Sequence, residues 1–276
     1  MRAASTTRHP YAAPPAALRA HVDRIWSWQS TADASLPTLL PGTGAELVVS
    51  LGAPLAMEEG GRTTHLPDVF VFCLRSGFCA LRATGSVDLI SVRFRGNGLR
   101  HFSAWTMADL ADRLTPGSVL FGAIADDLVP QLRTLPSFER RAEALAKFLE
   151  GRLARFLRDD AREDRLAQAL YYGEPTLPVR HLASELGTSV RQLERSLLRT
   201  SGLSPKRYRR IARLHLTMRD LHLRGTADYL DAALARGFHD QAHFIHECRD
   251  LIGRTPRQIL TPAQLKSHFY NTSLRA

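Results

Sequence analysis

The sequence predicts an α+β protein in two unlike parts: a β-rich N-terminal domain (a small barrel or sheet), then a helical linker and an all-α C-terminal domain built from two helix-turn-helix units. Three observations predict it. Short β-branched and aromatic runs occupy residues 20–96, the apolar period lengthens after Gly98, and a stretch at 182–208 recurs at 232–259. The expected divisions are a β-rich sensor or regulatory region over 1–100, a helical linker with a dimerisation role over 101–161, the duplicated helical domain over 162–262, and a tail over 263–276.

The strand-like runs are "VDRIWSW", "AELVVSLG", "VFVFCLRSGFCALRA" and "VDLISVRFR". Turn chemistry separates them: "LPGTG", Ser76-Gly77, "TGS" and "GNG". Ser76-Gly77 most simply closes a hairpin. A two-residue loop there would put Cys73 and Cys79 on opposite faces, and a three-residue loop would set them opposite each other as a redox pair. Buried apolar cysteines are the plainer reading. Trp26, Trp28, Phe70, Phe72 and Phe78 would line an apolar effector pocket or simply pack the core.

Helical patterning follows. "TMADLADRL" opens on Thr106 with Asp109 three residues on, a capping-box arrangement. Ser137 is suited to cap the next helix, in which Phe138, Ala142, Leu145, Leu149, Leu153 and Phe156 form a stripe. Such a stripe packs within the chain or forms a dimer seam. The charged, aperiodic "RDDAREDR" (158–165) marks the boundary before the duplicated part.

The duplication is detailed. Leu182-Ala183 and Gly187 match Ala232-Ala233 and Gly237, each 50 residues on. One extra residue in the second turn then shifts the offset to 51, so that Leu193, Leu197 and Gly202 match Phe244, Cys248 and Gly253. Ser204-Pro205 and Thr255-Pro256 close the units, followed by Tyr208 and Ile259. Glycine at 187 and 237 ends a short helix where φ must turn positive. Ser189 and Asp240 cap a longer helix, and Ser/Thr-Pro starts the next. The i,i+4 pairs Leu193/Leu197 and Phe244/Cys248 point inward. Each unit is thus a helix-turn-helix, joined to the other by "SPKRYRRIARLHLTMRDLH".

What faces away from the core is what can read a partner. In the first unit this arc holds Arg191, Gln192, Glu194 and Arg195, with Ser189 at its cap; in the second it holds Ala242, His243, Ile245 and His246, with Gln241 at the tip. The stretch "GFHDQAHFIHEC" also raises the question of a metal, but His239 precedes the cap and belongs to the turn. The three histidines therefore do not form one helical triad, no fourth ligand accompanies them, and no metal is expected.

Charge agrees with a polyanionic partner. The net charge is +10, of which residues 161–276 supply +8, with 19 Lys and Arg against 11 Asp and Glu. Only Lys147, Lys206 and Lys266 are lysines, a bias that reads as genome composition rather than base recognition. With 44% hydrophobic and 23% charged residues the chain has globular composition. No apolar run approaches a membrane span, no signal peptide is legible, and three cysteines without a C-x-x-C pair point to a reducing, cytoplasmic setting. An enzyme is not expected: from residue 22 on, the strand region holds only His65 as a histidine for metal chemistry, and no G-x-S-x-G or Cys/His constellation is visible. No cofactor is expected either.

Over residues 162–262 the motifs "LASELGTSVRQLERSL…GLSPKRYRRIARL" and "LDAALARGFHDQAHFIHECRDLIGRTPRQI" resemble the AraC/XylS family of bacterial transcription regulators. The resemblance implies a sequence-specific regulator whose two recognition helices enter successive major-groove segments of double-stranded DNA, about 34 Å apart. Arg191, Glu194 and Arg195 would meet bases or nearby phosphates, as would Gln241, Ala242, His243, Ile245 and His246, while Lys206, Arg207, Arg209 and Arg210 would hold the backbone. RNA polymerase, a small-molecule effector and a second copy of the chain are the further partners it implies. His246 stands where the family usually has arginine, Cys248 where it has phenylalanine, and Ala232 where it has a larger aliphatic. The second unit is therefore expected to be looser and to discriminate bases less. "LPGTGAELVVSLGAP" and "SVRFRGNGLRHF…ADLADRL" resemble an N-terminal domain often found ahead of AraC-type regions. Thiol- or metal-responsive sensing, through Cys73/Cys79 or His243/His246, is the alternative to an effector.

Overall fold

The structure, a computed structural model, describes residues 10–31, 36, 38–39, 41–75, 77, 79–158, 161–174, 177–224 and 228–260. The early strands are β1 (Tyr11–Ala12), β2 (Val22–Ser30), β3 (Thr38–Leu39), β4 (Gly42–Ser50) and β5 (Leu55–Glu59). They continue as β6 (Arg62–His65), β7 (Val69–Arg75), β8 (Cys79–Ala83), β9 (Val87–Phe94) and β10 (Leu114–Pro116). Among the described residues they build two antiparallel sheets, one in the order β1-β2-β9-β4-β7-β10 and one in the order β3-β8-β5-β6.

The central strands read as nearly continuous apolar runs because both faces of the larger sheet are covered. The register sets Trp26 beside Ser91, Ser91 beside Val48 and Val48 beside Phe70. Two positions away on that face lie Arg93, Glu46 and Phe72. Glu46 is 6% exposed; it accepts from Trp26 Nε1 at 2.6 Å and Ser91 Oγ at 3.0 Å, with Arg93 Nη1 3.8 Å away. A buried carboxylate persists only with such partners. Trp26, Trp28, Phe70 and Phe72 are all buried in the core. Phe78 lies outside the described residues.

Among the described residues β7 and β8 do not pair as the expected hairpin would require, and Ser76 itself lies outside them. β7 lies between β4 and β10 in one sheet, whereas β8 lies between β3 and β5 in the other. Alternation along a strand fixes which side chains share a face but not which strand becomes the neighbour, and here the chain changes sheets. Cys73 and Cys79 therefore belong to different sheets, and both are fully buried. Burial pushes both thiols up, Cys79 to about 11, which disfavours the thiolate form.

The sheet extends past residue 100, since β10 pairs with β7. Just before it lies α1 (Met107–Leu110), capped by Thr106, with Asp109 returning the bond to the Thr106 N–H at 2.8 Å. After β10 come α2 (Gly117–Phe121), α3 (Leu128–Arg133) and α4 (Phe138–Phe156). Ser137 caps α4 by accepting from the Arg140 N–H. Ala142, Leu145 and Leu149 of its stripe are buried within the chain, and Arg141 and Arg152 tie it to Asp88 and to the Phe102 carbonyl. The stripe thus packs intramolecularly.

The remaining helices are α5 (Ala161–Tyr172), α6 (Val179–Glu185), α7 (Val190–Ser201) and α8 (Pro205–Arg224), then α9 (Leu230–Ala235), α10 (Gln241–Ile252) and α11 (Pro256–Ile259). α6–α7 and α9–α10 are the two helix-turn-helix pairs, and α8 runs between them. No helix among the described residues is long and apolar enough to cross a membrane.

Candidate nucleic-acid interface

Both candidate recognition helices are set by their caps. Ser189 Oγ accepts from the Gln192 N–H at 3.3 Å, and Gln192 Oε1 accepts in return from the Ser189 N–H at 3.1 Å. Asp240 Oδ1 accepts from the His243 N–H at 2.7 Å. Gly187 and Gly237, at φ 61° and 78°, make the preceding turns, and Gly202 and Gly253 end α7 and α10 in the left-handed region. Leu193, Leu197, Phe244 and Cys248 are all buried, which fixes how each helix is rotated.

That rotation leaves Arg191, Glu194 and Arg195 exposed on α7, together with Gln192 and Ser189, whose polar groups are engaged in the cap. On α10, Gln241, Ala242 and His246 are exposed, while His243 and Ile245 are half-buried. Gln241 donates from Nε2 to the Tyr229 hydroxyl at 2.9 Å. His239 and His243 stack with ring centroids 5.3 Å apart, and His243 Nδ1 accepts from the His239 N–H. Burial first, then the Arg213 guanidinium, holds the His243 imidazole below its ordinary value.

Between the two units lies an open groove of about 560 Å³, lined by Val179, Lys206, Arg209, Arg210, Arg213, His243 and Glu247. The four basic side chains come from one face of α8, at spacings of three, one and three. Lys206 and Arg207 are exposed. Arg209 and Arg210 are not free cations: Arg209 donates to the Leu177 carbonyl, and Arg210 bonds Glu247 at 3.0 Å and also Asp250. Arg213, not singled out from the sequence, lies over the Phe238 ring at 4.3 Å and donates to the Gly237 carbonyl at 3.2 Å. The helical spacing 206, 209, 210, 213 was the signal that could have found it.

Among the described residues one group gathers three side chains able to ligate a metal, and it is not the histidine-rich turn. Donor atoms of His21, His101 and Asp164 lie within 4.8 Å of one another. The donor atoms of His101 and Asp164 are already engaged. His101 Nδ1 accepts from the Arg158 N–H at 3.2 Å, which leaves Nε2 to donate to Asp164 Oδ2 at 2.8 Å. Arg100 Nη2 lies 3.1 Å from the other carboxylate oxygen. A cation there would displace a proton and face a guanidinium, so the geometry is that of an ion-pair clasp rather than a metal centre.

Residues 182–261 match a family described as a helix-turn-helix domain, and residues 11–116 match a domain of unknown function (DUF6597). Among curated proteins, none matches the chain. The fold is similar to that of ToxT from Vibrio cholerae, whose structure aligns over 93% of this chain and 97% of its own at 11% identity and a TM-score of 0.51. A second ToxT structure, with an unsaturated fatty acid bound, aligns over 94% of this chain and 97% of its own at 12% identity and a TM-score of 0.50. The AraC-like transcriptional activator CuxR aligns over 76% of this chain and 94% of its own, at 14% identity and a TM-score of 0.29. The chain thus joins a region that matches a helix-turn-helix domain to one that matches a domain of unknown function, in a fold similar to that of ToxT.

Proposed function

We propose that the protein is a sequence-specific transcription regulator that reads two successive major-groove segments with α7 and α10. The observation that carries this reading is the pair of capped helices whose apolar faces are buried and whose outer arcs are open, on either side of a basic groove. Arg191 and Arg195 would take guanine edges or phosphates, and Glu194 would accept from cytosine N4. Gln241 would pair with adenine, Ala242 and Ile245 would meet thymine methyls, and His243 and His246 would add weaker polar contacts. Lys206 and Arg207, both exposed, would grip the backbone without reading sequence. Because Arg209, Arg210 and Arg213 are engaged within the protein, they would orient the interface more than bind phosphate.

The N-terminal domain would then sense a small molecule or join two copies, and RNA polymerase would be the protein partner downstream. The fatty acid bound to ToxT supports the sensing role by fold likeness. The cavity where the N-terminal sheet meets α5 and α8 measures about 30 Å³, room for about one water, so an effector there would have to open that seam. Selection of duplexes from a random library by the purified chain, followed by footprinting, tests the proposal. Enrichment of a two-part site with its halves about one helical turn apart is expected, and retention of unselected duplexes with equal affinity would end it.

A further inference from the structure

Two consecutive acids on α5 face in different directions, because successive helical residues are about 100° apart. Glu163 turns to the first recognition helix: its Oε1 accepts from Ser196 Oγ at 2.8 Å and lies 3.5 Å from Arg199 Nη2. Asp164 turns to the N-terminal domain, where Arg100 and His101 hold both its oxygens. Those two partners are 2% and 1% exposed, so the N-terminal side of the contact is buried. Arg158 locks it further by donating to His101 Nδ1 and, from Nε, to the Arg100 carbonyl at 3.0 Å.

Two close approaches run alongside. A Cβ on Gly96 would come within 3.2 Å of the Ala167 Cβ of α5, and one on Gly202, the C-cap of α7, within 3.5 Å of Ala108 on α1. The second recognition helix is anchored differently. Its Glu247 is held by Arg210 and Arg213 of α8, and its Gln241 by Tyr229.

We infer that Glu163 and Asp164 are positioning residues through which the N-terminal domain fixes the orientation of α7, so that base discrimination by the first unit depends on these two acids and discrimination by the second, held on α8, does not. The inference rests on the DNA-reading proposal above. A short helix gripped at adjacent residues by a domain on one side and a recognition helix on the other transmits a tilt with little slack, and a tilt of a few degrees is enough to misplace an arginine fork over a base edge. Removal of one partner from the Arg100–His101–Asp164 cluster leaves a buried charge uncompensated, so the seam would move rather than stay as it is.

The test uses the full chain and a duplex selected by the wild-type protein, with two derivatives scrambled in one half-site each, and reads affinity by fluorescence anisotropy. In the wild type each scramble is expected to weaken binding about 10-fold or more. In Asp164→Asn and in Ser196→Ala, scrambling the half read by α7 is expected to cost less than about 3-fold, while the penalty for the other half is unchanged. Ser196→Ala removes only one half-buried hydroxyl contact and serves if the Asp164→Asn variant does not fold. Equal loss of both penalties, or retention of both, overturns the inference. A wild-type chain with no half-site preference at all would instead overturn the DNA-reading proposal beneath it.

Discussion

Arg210 of α8 lies between Glu247 and Asp250 of α10, with its Nε 3.0 Å from Glu247 Oε2. Arg213, one turn further along α8, closes on the same Glu247 carboxylate at 3.7 Å. Glu247 is 7% exposed, so this acid is the pin that holds the second recognition helix on the connecting helix. Its removal would leave two guanidinium groups facing each other with Asp250 as their remaining acid. Glu247→Ala is expected to destabilise the chain toward the lower end of the about 3–5 kcal/mol typical of broken buried pairs, because Arg210 keeps part of its hydration. Calorimetry would show this as a lowered melting temperature. An unchanged melting temperature would mean that the pair is a surface ornament.

The two recognition helices are expected to contribute unequally. Arg195 presents a planar fork that can make two parallel bonds to a guanine edge, whereas His246 offers a single ring edge. Arg195→Ala should reduce preference for the selected site by about 1–3 kcal/mol, and His246→Ala should cost less. Competition titrations against scrambled duplex measure both. Equal losses would contradict the asymmetry.

Affinity for DNA is expected to rise as pH falls. In the free protein, burial and the Arg213 guanidinium hold the His243 imidazole below its ordinary value, with His239 adding to this and Glu247 and Asp240 opposing it. Phosphates brought alongside would favour the protonated ring, so binding takes up protons, and proton uptake on binding means tighter binding at lower pH. One such group contributes at most about tenfold per pH unit. Anisotropy titrations from about pH 8 to about pH 6 at fixed ionic strength read the slope. A His243→Gln variant should flatten it, and an unaltered slope would remove His243 from the interface.

What could be read from the sequence divides by range. The caps at Ser189 and Asp240, the left-handed glycines at 202 and 253, and the inward pairs Leu193/Leu197 and Phe244/Cys248 all act within four residues of one another, and each lies where local chemistry puts it. The split of β7 and β8 between two sheets was not legible, because strand choice is a long-range matter that the local hairpin signal at Ser76-Gly77 does not decide. The same holds for the charges on α8. Four basic residues on one helical face announce a polyanion site, yet Arg210 is held by an acid 37 residues away. The clasp of His21, His101 and Asp164 draws on three segments, and no spacing rule connects them.

That clasp should also make the protein sensitive to acid. Burial first, then the neighbouring His101, lowers the His21 imidazole to about 4, although Asp164 pulls the other way. The folded state therefore keeps His21 neutral over a range in which the unfolded chain takes up a proton. Stability tied to this residue is complete above about pH 6.5 and falls away as pH drops toward 4. Asp164 acts lower down. Burial alone would raise its carboxyl, but the His101 hydrogen bond and the Arg100 guanidinium outweigh that and hold it below the usual carboxylate range. Its share is present above the unfolded carboxylate value near 3.8 and is lost as acid protonates the folded form. Melting temperature should thus decline in two stages, and His21→Gln should remove the upper one, since glutamine has no proton to take up between those limits. A variant whose melting temperature still declined as steeply between about pH 6.5 and about pH 4 would show that His21 contributes nothing to that stage.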